Sequence, residues 1–288
     1  MHTQLSSRAL LVSVNISMWT ARKFDQLATQ AVEDTHRVSK VGRFNKVLLE
    51  PEHLRPVTAC AIAVRTAHHS RTLPWGDQGE RLLAGSNFFD FQELMNRRCQ
   101  QFDEAVAGLV VAYPELLRQA SISLGRLFSP ADYPAVGNLA SRFSAVVSYS
   151  PIPQLSDLRT ELSDEHQQAI LRGAVADTLQ LRLDGATDAL LNRLRPAVHE
   201  LHNRLDPEKA PTLNNTKYVR AHLVEAALAA LDAALTLNVA DDERVAFIAQ
   251  QLGACRADIC AIRGHSPWGP SHAAAYRACT RIKDYMEW

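Results

Sequence analysis

The stretch from Ser163 to Leu205 constrains this fold more than any other. Apolar residues recur at helical spacing through Ile170, Leu171, Ala174, Val175 and Leu179. Leu183, Leu190, Leu194, Ala197, Leu201 and Leu205 then follow a near-heptad, which is a seam for a partner helix. Ser163 is a good N-cap, and Asp164 and Glu165 place negative charge in the first turn, where the helix dipole favours it. Gly173 and Gly185 each weaken such a helix by about 1 kcal/mol relative to Ala. Pro196 is expected to kink it or to mark a second start. The pattern predicts one long helix, or two collinear ones, with the rest of the chain packed upon it. It specifies architecture and no chemistry.

The segments that follow extend this helical half. A loop over Asp206 to Thr212 leads to a helix over Lys217 to Leu237, with caps offered by Asn214, Asn215 and Thr216. Its face of Ala226, Ala227, Ala230 and Ala234 lets helix axes approach closely, so it pairs antiparallel with the long helix. Asp241 is the expected cap of the next helix, with Val239 and Val245 as a hydrophobic staple, and that helix runs to Arg263. Gly264 ends it. A last helix covers Ser271 to Met286, with Tyr276, Ile282 and Tyr285 inward. The region from Ser163 to Arg263 is thus expected to be almost wholly helical.

The N-terminal half is mixed. Ala9 to Trp19 alternates as a strand, with Leu10, Val12, Val14, Ile16 and Met18 on one face. Thr20 caps a predicted helix whose apolar face is Phe24, Leu27, Ala28, Ala31 and Val32. Pro51 opens another, and Val57 to His69 reads as helical. Ser70 to Asn87 reads as an irregular surface segment around the Leu73-Pro74-Trp75-Gly76-Asp77 turn. Asp90 to Ala112 is a helix that Tyr113-Pro114 breaks, with a further helix to Leu127. Ser129-Pro130 opens a short helix toward Arg142. Phe143 to Tyr149 is a second strand and Asp157 to Leu162 a third. The fold class is therefore mainly α with a small β-sheet (α+β), with an antiparallel helical hairpin or bundle arm in the C-terminal half. The domains read as 1–162 and 163–288, or as one continuous domain.

The 288 residues carry a net charge of zero, so no global field draws the chain to nucleic acid or an anionic membrane. No secretory signal and no apolar run of about 20 residues is legible, which predicts a cytoplasmic protein that does not span a membrane. The five cysteines are odd in number and scattered, as expected of buried thiols in a reducing compartment.

Chemical signatures are sparse. There is no P-loop, no G-x-S-x-G and no H-E-x-x-H. No nucleophile–base pair is legible, and no catalytic residue, cofactor or metal is expected. Cys255, Cys260, His265, His272 and Cys279 form the most metal-like group, but positions 255 and 260 splay by about 140° on a helix. His199 and His202 share a helical face without further local ligands, and His68-His69 suits a helix C-terminus. Arg37, Lys40, Arg43 and Lys46 form a basic connector with one aromatic, Phe44. It reads either as a solvated face or as a set of phosphate contacts. Trp75 sits in a Pro/Gly turn with Arg71, Asp77 and Arg81 around it. Either the indole folds back on the core, or it anchors a partner or self-association surface within a polar rim.

Several phrases together resemble an uncharacterised family of unknown function found in bacteriophages and integrative elements. They are Val12-Ser13-Val14-Asn15-Ile16 with Ala21-Arg22-Lys23, Leu73-Pro74-Trp75, Asp132-Tyr133-Pro134, Tyr149-Ser150-Pro151-Ile152-Pro153 with Asp157-Leu158-Arg159, and Leu237-Asn238-Val239-Ala240-Asp241-Asp242. Members of that family look like genomic neighbours of a MoxR-type AAA ATPase and of a von Willebrand factor A protein similar to cobaltochelatase subunits. The resemblance implies a context and assigns no reaction and no residues. The expected function is a non-enzymatic binding or adaptor protein of a phage or mobile element, docking through helical surfaces on a protein partner such as a AAA ATPase, or on a second copy. The rival is a nucleic-acid-binding protein of element recombination or replication.

Overall fold

The apolar periodicities condense, in the computed structural model of this chain, into a mainly α fold with a small β-sheet. The structure describes residues 2–76, 79–153, 165–209 and 216–288. The order is α1 (His2–Arg8), β1 (Ala9–Ser17), β2 (Arg22–Phe24), α2 (Gln26–His36), β3 (Asn45–Val47), α3 (Pro51–Ser70), β4 (Leu73–Pro74), β5 (Arg81–Ala84) and α4 (Phe88–Leu124). Then come α5 (Val136–Leu139), β6 (Ser144–Ser150), α6 (Glu165–Leu205), β7 (Thr216–Val219), α7 (Ala221–Leu237), α8 (Glu243–Ala254), α9 (Arg256–Ala261), β8 (Gly264–Pro267) and α10 (Pro270–Met286). Four strands form a sheet in the order β4-β5-β1-β6, while β2-β3 and β7-β8 are separate antiparallel ribbons. Among the described residues no helix is long and apolar enough to cross a membrane.

The chain divides into two interleaved units. The first comprises Met1–Ser13, Arg71–Asp90 and Tyr149–Trp288, and the second Val14–Ser70 and Phe91–Ser148. The expected division at 162/163 is not what is found. Segments from the N-terminal half complete the helical unit, because β1 pairs with β5 there from Ala9↔Ala84 to Val12↔Arg81.

In the first unit α6 packs on α7 and α10, and α7 on α8. The expected seam is in place: Leu190, Leu194, Leu201 and Leu205 are buried. So are Ala227, Ala230 and Ala234, whose small side chains let α7 come close. Pro196 does not start a new helix. It costs about 3 kcal/mol in a helix interior, and the buried Leu194 and Val198 on either side hold α6 continuous. Residues 166–178 of α6 bury no side chain, so Ile170 is exposed rather than packed. The Ser163 cap and the third strand over Asp157 to Leu162 lie outside the described residues.

Five further expectations are corrected in this unit. A strand, β7, stands where Lys217 was to begin a helix, so Ser163 to Arg263 is not wholly helical. Thr216, Tyr218 and Val219 are β-prone, and they pair with β8. Asp242, not Asp241, caps α8, accepting from the amides of Arg244 and Val245, while Asp241 takes a left-handed φ of 54°. The helix expected to reach Arg263 is broken at Cys255, and Tyr285 is exposed. Finally, the segment from Ser70 to Asn87 is not all irregular surface: β4 and β5 pair within it, Leu73 facing Leu82, and Thr72, Leu73, Leu82, Leu83 and Ala84 are buried.

In the second unit α3 and α4 bury Val57, Ala61, Val64, Phe91, Met95, Phe102, Val106 and Leu109. Helix α4 passes straight through Pro114, where the sequence predicts a break, because Tyr113 and Leu116 are both buried at that turn. Thr20 caps nothing. The chain makes β2 first, and Asp25 caps α2.

Candidate functional site

The two sets of sequence-derived site residues have separate outcomes. Trp75 is 2% exposed and belongs to the hydrophobic core of the first unit. A ring so enclosed is no surface anchor, and the folded-back alternative is the one found. Its indole Nε1 has no hydrogen-bond partner among the described residues. Arg81 donates from Nε to Thr72 Oγ1 (2.7 Å) and from Nη2 to the Thr72 carbonyl (3.0 Å), so it braces β4 and β5. Burial and the neighbouring Arg193 hold its guanidinium below the usual range. Arg71 is exposed, and Asp77 lies outside the described residues. The expected polar rim thus surrounds no presented indole.

The basic connector belongs to a small lobe of the second unit, built from β2, α2 and β3. Arg22 pairs with Val47 and Phe24 with Asn45 across the ribbon. The helix between the strands is fixed at its ends. Asp25 Oδ1 accepts from the Ala28 amide at 3.0 Å, and the Thr29 hydroxyl donates to the Asp25 carbonyl at 2.8 Å. The Phe44 amide donates to Thr29 Oγ1 at 3.0 Å, and Arg37 closes the C-terminus with a left-handed φ of 52°. None of the residues from Arg22 to Asn45 is buried. Leu27 is 84% exposed, Val41 68% and Val32 49%, and Phe24, Val38, Phe44 and Val47 are exposed too. The apolar face of α2 predicted from the sequence exists and stays largely open.

Lys46 is not part of the exposed basic set. It is buried, donates to the Leu127 carbonyl (2.8 Å) and makes ion pairs with Asp132 Oδ2 (2.6 Å) and Asp25 Oδ2 (3.2 Å). Lys23 reaches Asp132 Oδ1 at 2.8 Å. The Lys23 and Lys46 ammonium groups hold the Asp132 carboxyl below its ordinary range, and Asp132, then Asp25, hold Lys46 above its own. The Ala28 amide and then Lys46 do the same for Asp25. Tyr133 donates to the Leu48 carbonyl at 2.9 Å and fixes the same corner. This network ties the lobe to its unit and holds Lys46 away from the surface. Arg37, Lys40 and Arg43 remain exposed together with Arg22. Arg43 stands 5.4 Å over the Phe24 ring.

Other chemical groups are arranged for structure. A cleft of 270 Å³ in the first unit holds the Arg8–Asp241 ion pair with Asp184, Asp242 and Arg244 at its wall, and charges of both signs neutralise one another there. Cys255 and Cys279 are buried, and burial pushes their thiols up to about 11 and about 12, away from the reactive thiolate. Cys260 is exposed. His202 stacks on Tyr276 at 4.8 Å and His199 on Trp288 at 6.2 Å. Among the described residues no three His, Cys, Asp or Glu side chains are gathered to hold a metal ion.

The sequence shows the cations of the lobe and the apolar face of α2, and does not show that this face is exposed. No family model, no curated protein and no solved structure matches the chain.

Proposed function

We propose that this chain is a non-enzymatic protein-binding module and that the β2-α2-β3 lobe is its docking surface. The observation that carries this reading is that a capped helix and its ribbon stand out without one buried residue from Arg22 to Asn45. Helices this short are marginal alone in water and gain most of their stability from packing an apolar face. A contiguous exposed apolar patch on such an element marks an interaction site. The resemblance to a phage and integrative-element family supports an adaptor role within a mobile element, and it makes a neighbouring MoxR-type AAA ATPase the first partner to test. The exposed cations keep nucleic acid as the rival.

The test is capture of partners from the native host, and of the neighbouring ATPase, by wild type and by Leu27→Asp/Val32→Asp. The expected outcome is a partner held by wild type and lost by the variant, with the thermal melt unchanged. Undiminished capture by the variant would remove the lobe from the interface.

A further inference from the structure

The lobe offers more than an exposed patch. Between the second half of α2 and the segment leading into β3 lies a cleft of 290 Å³, lined by Val32, Val41 and Phe44 with Thr29, Glu33 and Arg43. Along α2, Leu27 and Ala31, and Ala28 and Val32, are pairs at i,i+4. They form a stripe of the kind that receives a second helix. Cations surround this apolar strip. Arg22, Arg37, Lys40 and Arg43 are exposed and make no ion pair among the described residues. Three carboxylates lie close by, and of these Asp34 is exposed. Asp25 caps α2 and meets Lys46, and Glu33 accepts from the Lys40 amide at 2.6 Å. The surface therefore asks for apolar side chains at its centre and negative charge at its rim.

Resting on the docking reading above, we infer that the lobe receives an acidic amphipathic helix of another protein, with an aliphatic side chain entering the Val32–Val41–Phe44 cleft and carboxylates meeting Arg37, Lys40 and Arg43. Charge complementarity selects this occupant over the others. A second copy docked on the same face about a two-fold axis would set Arg37, Lys40 and Arg43 against their own images. Nucleic acid would meet the cations, but the aliphatic groups of Leu27, Val32 and Val41 provide no stacking platform. A helix in a groove uses anchors at i, i+3, i+4 and i+7, which suits both the stripe and the cleft.

The probe is a fluorescein-labelled helical peptide of about 20 residues, Glu/Asp-rich with leucines at that spacing, titrated with the full chain and read by anisotropy. Binding is expected to weaken as salt rises from about 50 to about 300 mM. Val41→Asp and Arg43→Glu are each expected to weaken it by about tenfold or more. A version of the peptide with Lys in place of Glu/Asp should not bind. Circular dichroism of Val41→Asp checks the fold, and Leu27→Asp replaces it if that variant does not fold. Equal binding of the acidic and basic peptides overturns the inference. So does full binding by Val41→Asp, displacement of the peptide by a single-stranded oligonucleotide, or self-association that sedimentation shows to depend on Val41. Failure of the acidic peptide beside loss of partner capture in Leu27→Asp/Val32→Asp overturns the acidic occupant alone and leaves the docking surface in place.

Discussion

Helices α2 and α7 carry the same kind of periodic apolar face and meet opposite ends. In α7 that face, from Val224 through Ala227, Ala230 and Ala234 to Leu237, is buried within its own unit. In α2 no residue is buried, and the helix is held by what happens at its termini: the Asp25 cap, the Thr29 hydroxyl and the Arg37 turn. A period of 3.6 says that a face wants cover and is silent about what covers it. One helix is stabilised by packing, and the other by polar ends and a ribbon that leave its face available.

The comparison breaks most easily at the large aromatic. Trp75→Ala, in the core of the first unit, is expected to cost about 3–5 kcal/mol. Leu27→Ala, on the lobe, is expected to change stability by no more than about 0.5 kcal/mol. Thermal melts of the two variants decide it. A Trp75→Ala protein as stable as wild type would mean that the indole is not core.

A smaller effect is expected where the lobe is tied down. Lys46→Ala strands Asp132 and Asp25 without their shared cation, at a cost of about 3 kcal/mol by the standard of broken buried pairs. The acid dependence has a definite sign. Asp132 has a folded pKa below its ordinary 3.8, so its contribution is complete above that value and is lost as pH falls through the lower folded one. Lys46 has a folded pKa above 10.5, so its contribution is complete below that and is lost as pH rises through the folded value. Urea unfolding should show a constant gap between wild type and Asp132→Asn across neutral pH, closing only in acid below about 3.8. A gap that closed near neutrality would show that the network is not what fixes the lobe.

The smallest effect sharpens the contrast from the other side. A Cβ at Gly173 or Gly185 in α6 would meet nothing within 4 Å. Either residue changed to Ala is expected to raise stability by up to about 1 kcal/mol through helix propensity. Loss of stability at either position would mean that the helix is crowded there.

Much of the architecture was legible because periodicity survives in long segments. The seam from Leu190 to Leu205 and the Ala face of α7 are where the sequence puts them. Prolines misled. At Pro114 and Pro196 the local cost of a lost hydrogen bond is outweighed by buried neighbours several turns long, which no local rule sees. Adjacent candidates misled as well. Asp241 and Asp242 are alike as letters, but only Asp242 reaches the free amides of α8, while Asp241 pairs with Arg8, 233 positions away in the chain. The docking surface was half legible. Its cations stood out as a run and its apolar members as one helical face, but exposure is a property of the fold and not of the letters. Lys46, fourth of the run, was claimed by Asp132, a residue far along the chain that spacing cannot connect to it.

The interleaving of the two units has a consequence for how the chain is made. On a ribosome residues 1–13 emerge well before residues 149–288, which complete their unit. The second unit's two stretches, 14–70 and 91–148, are synthesised between the three stretches of the first. Non-local closure of this kind slows folding and lengthens exposure of apolar surface to chaperones and proteases. Nor does a single cut release either unit whole. A fragment ending at residue 162 carries β1, β4 and β5 without α6, α7 and α10, and its helical complement begins without them.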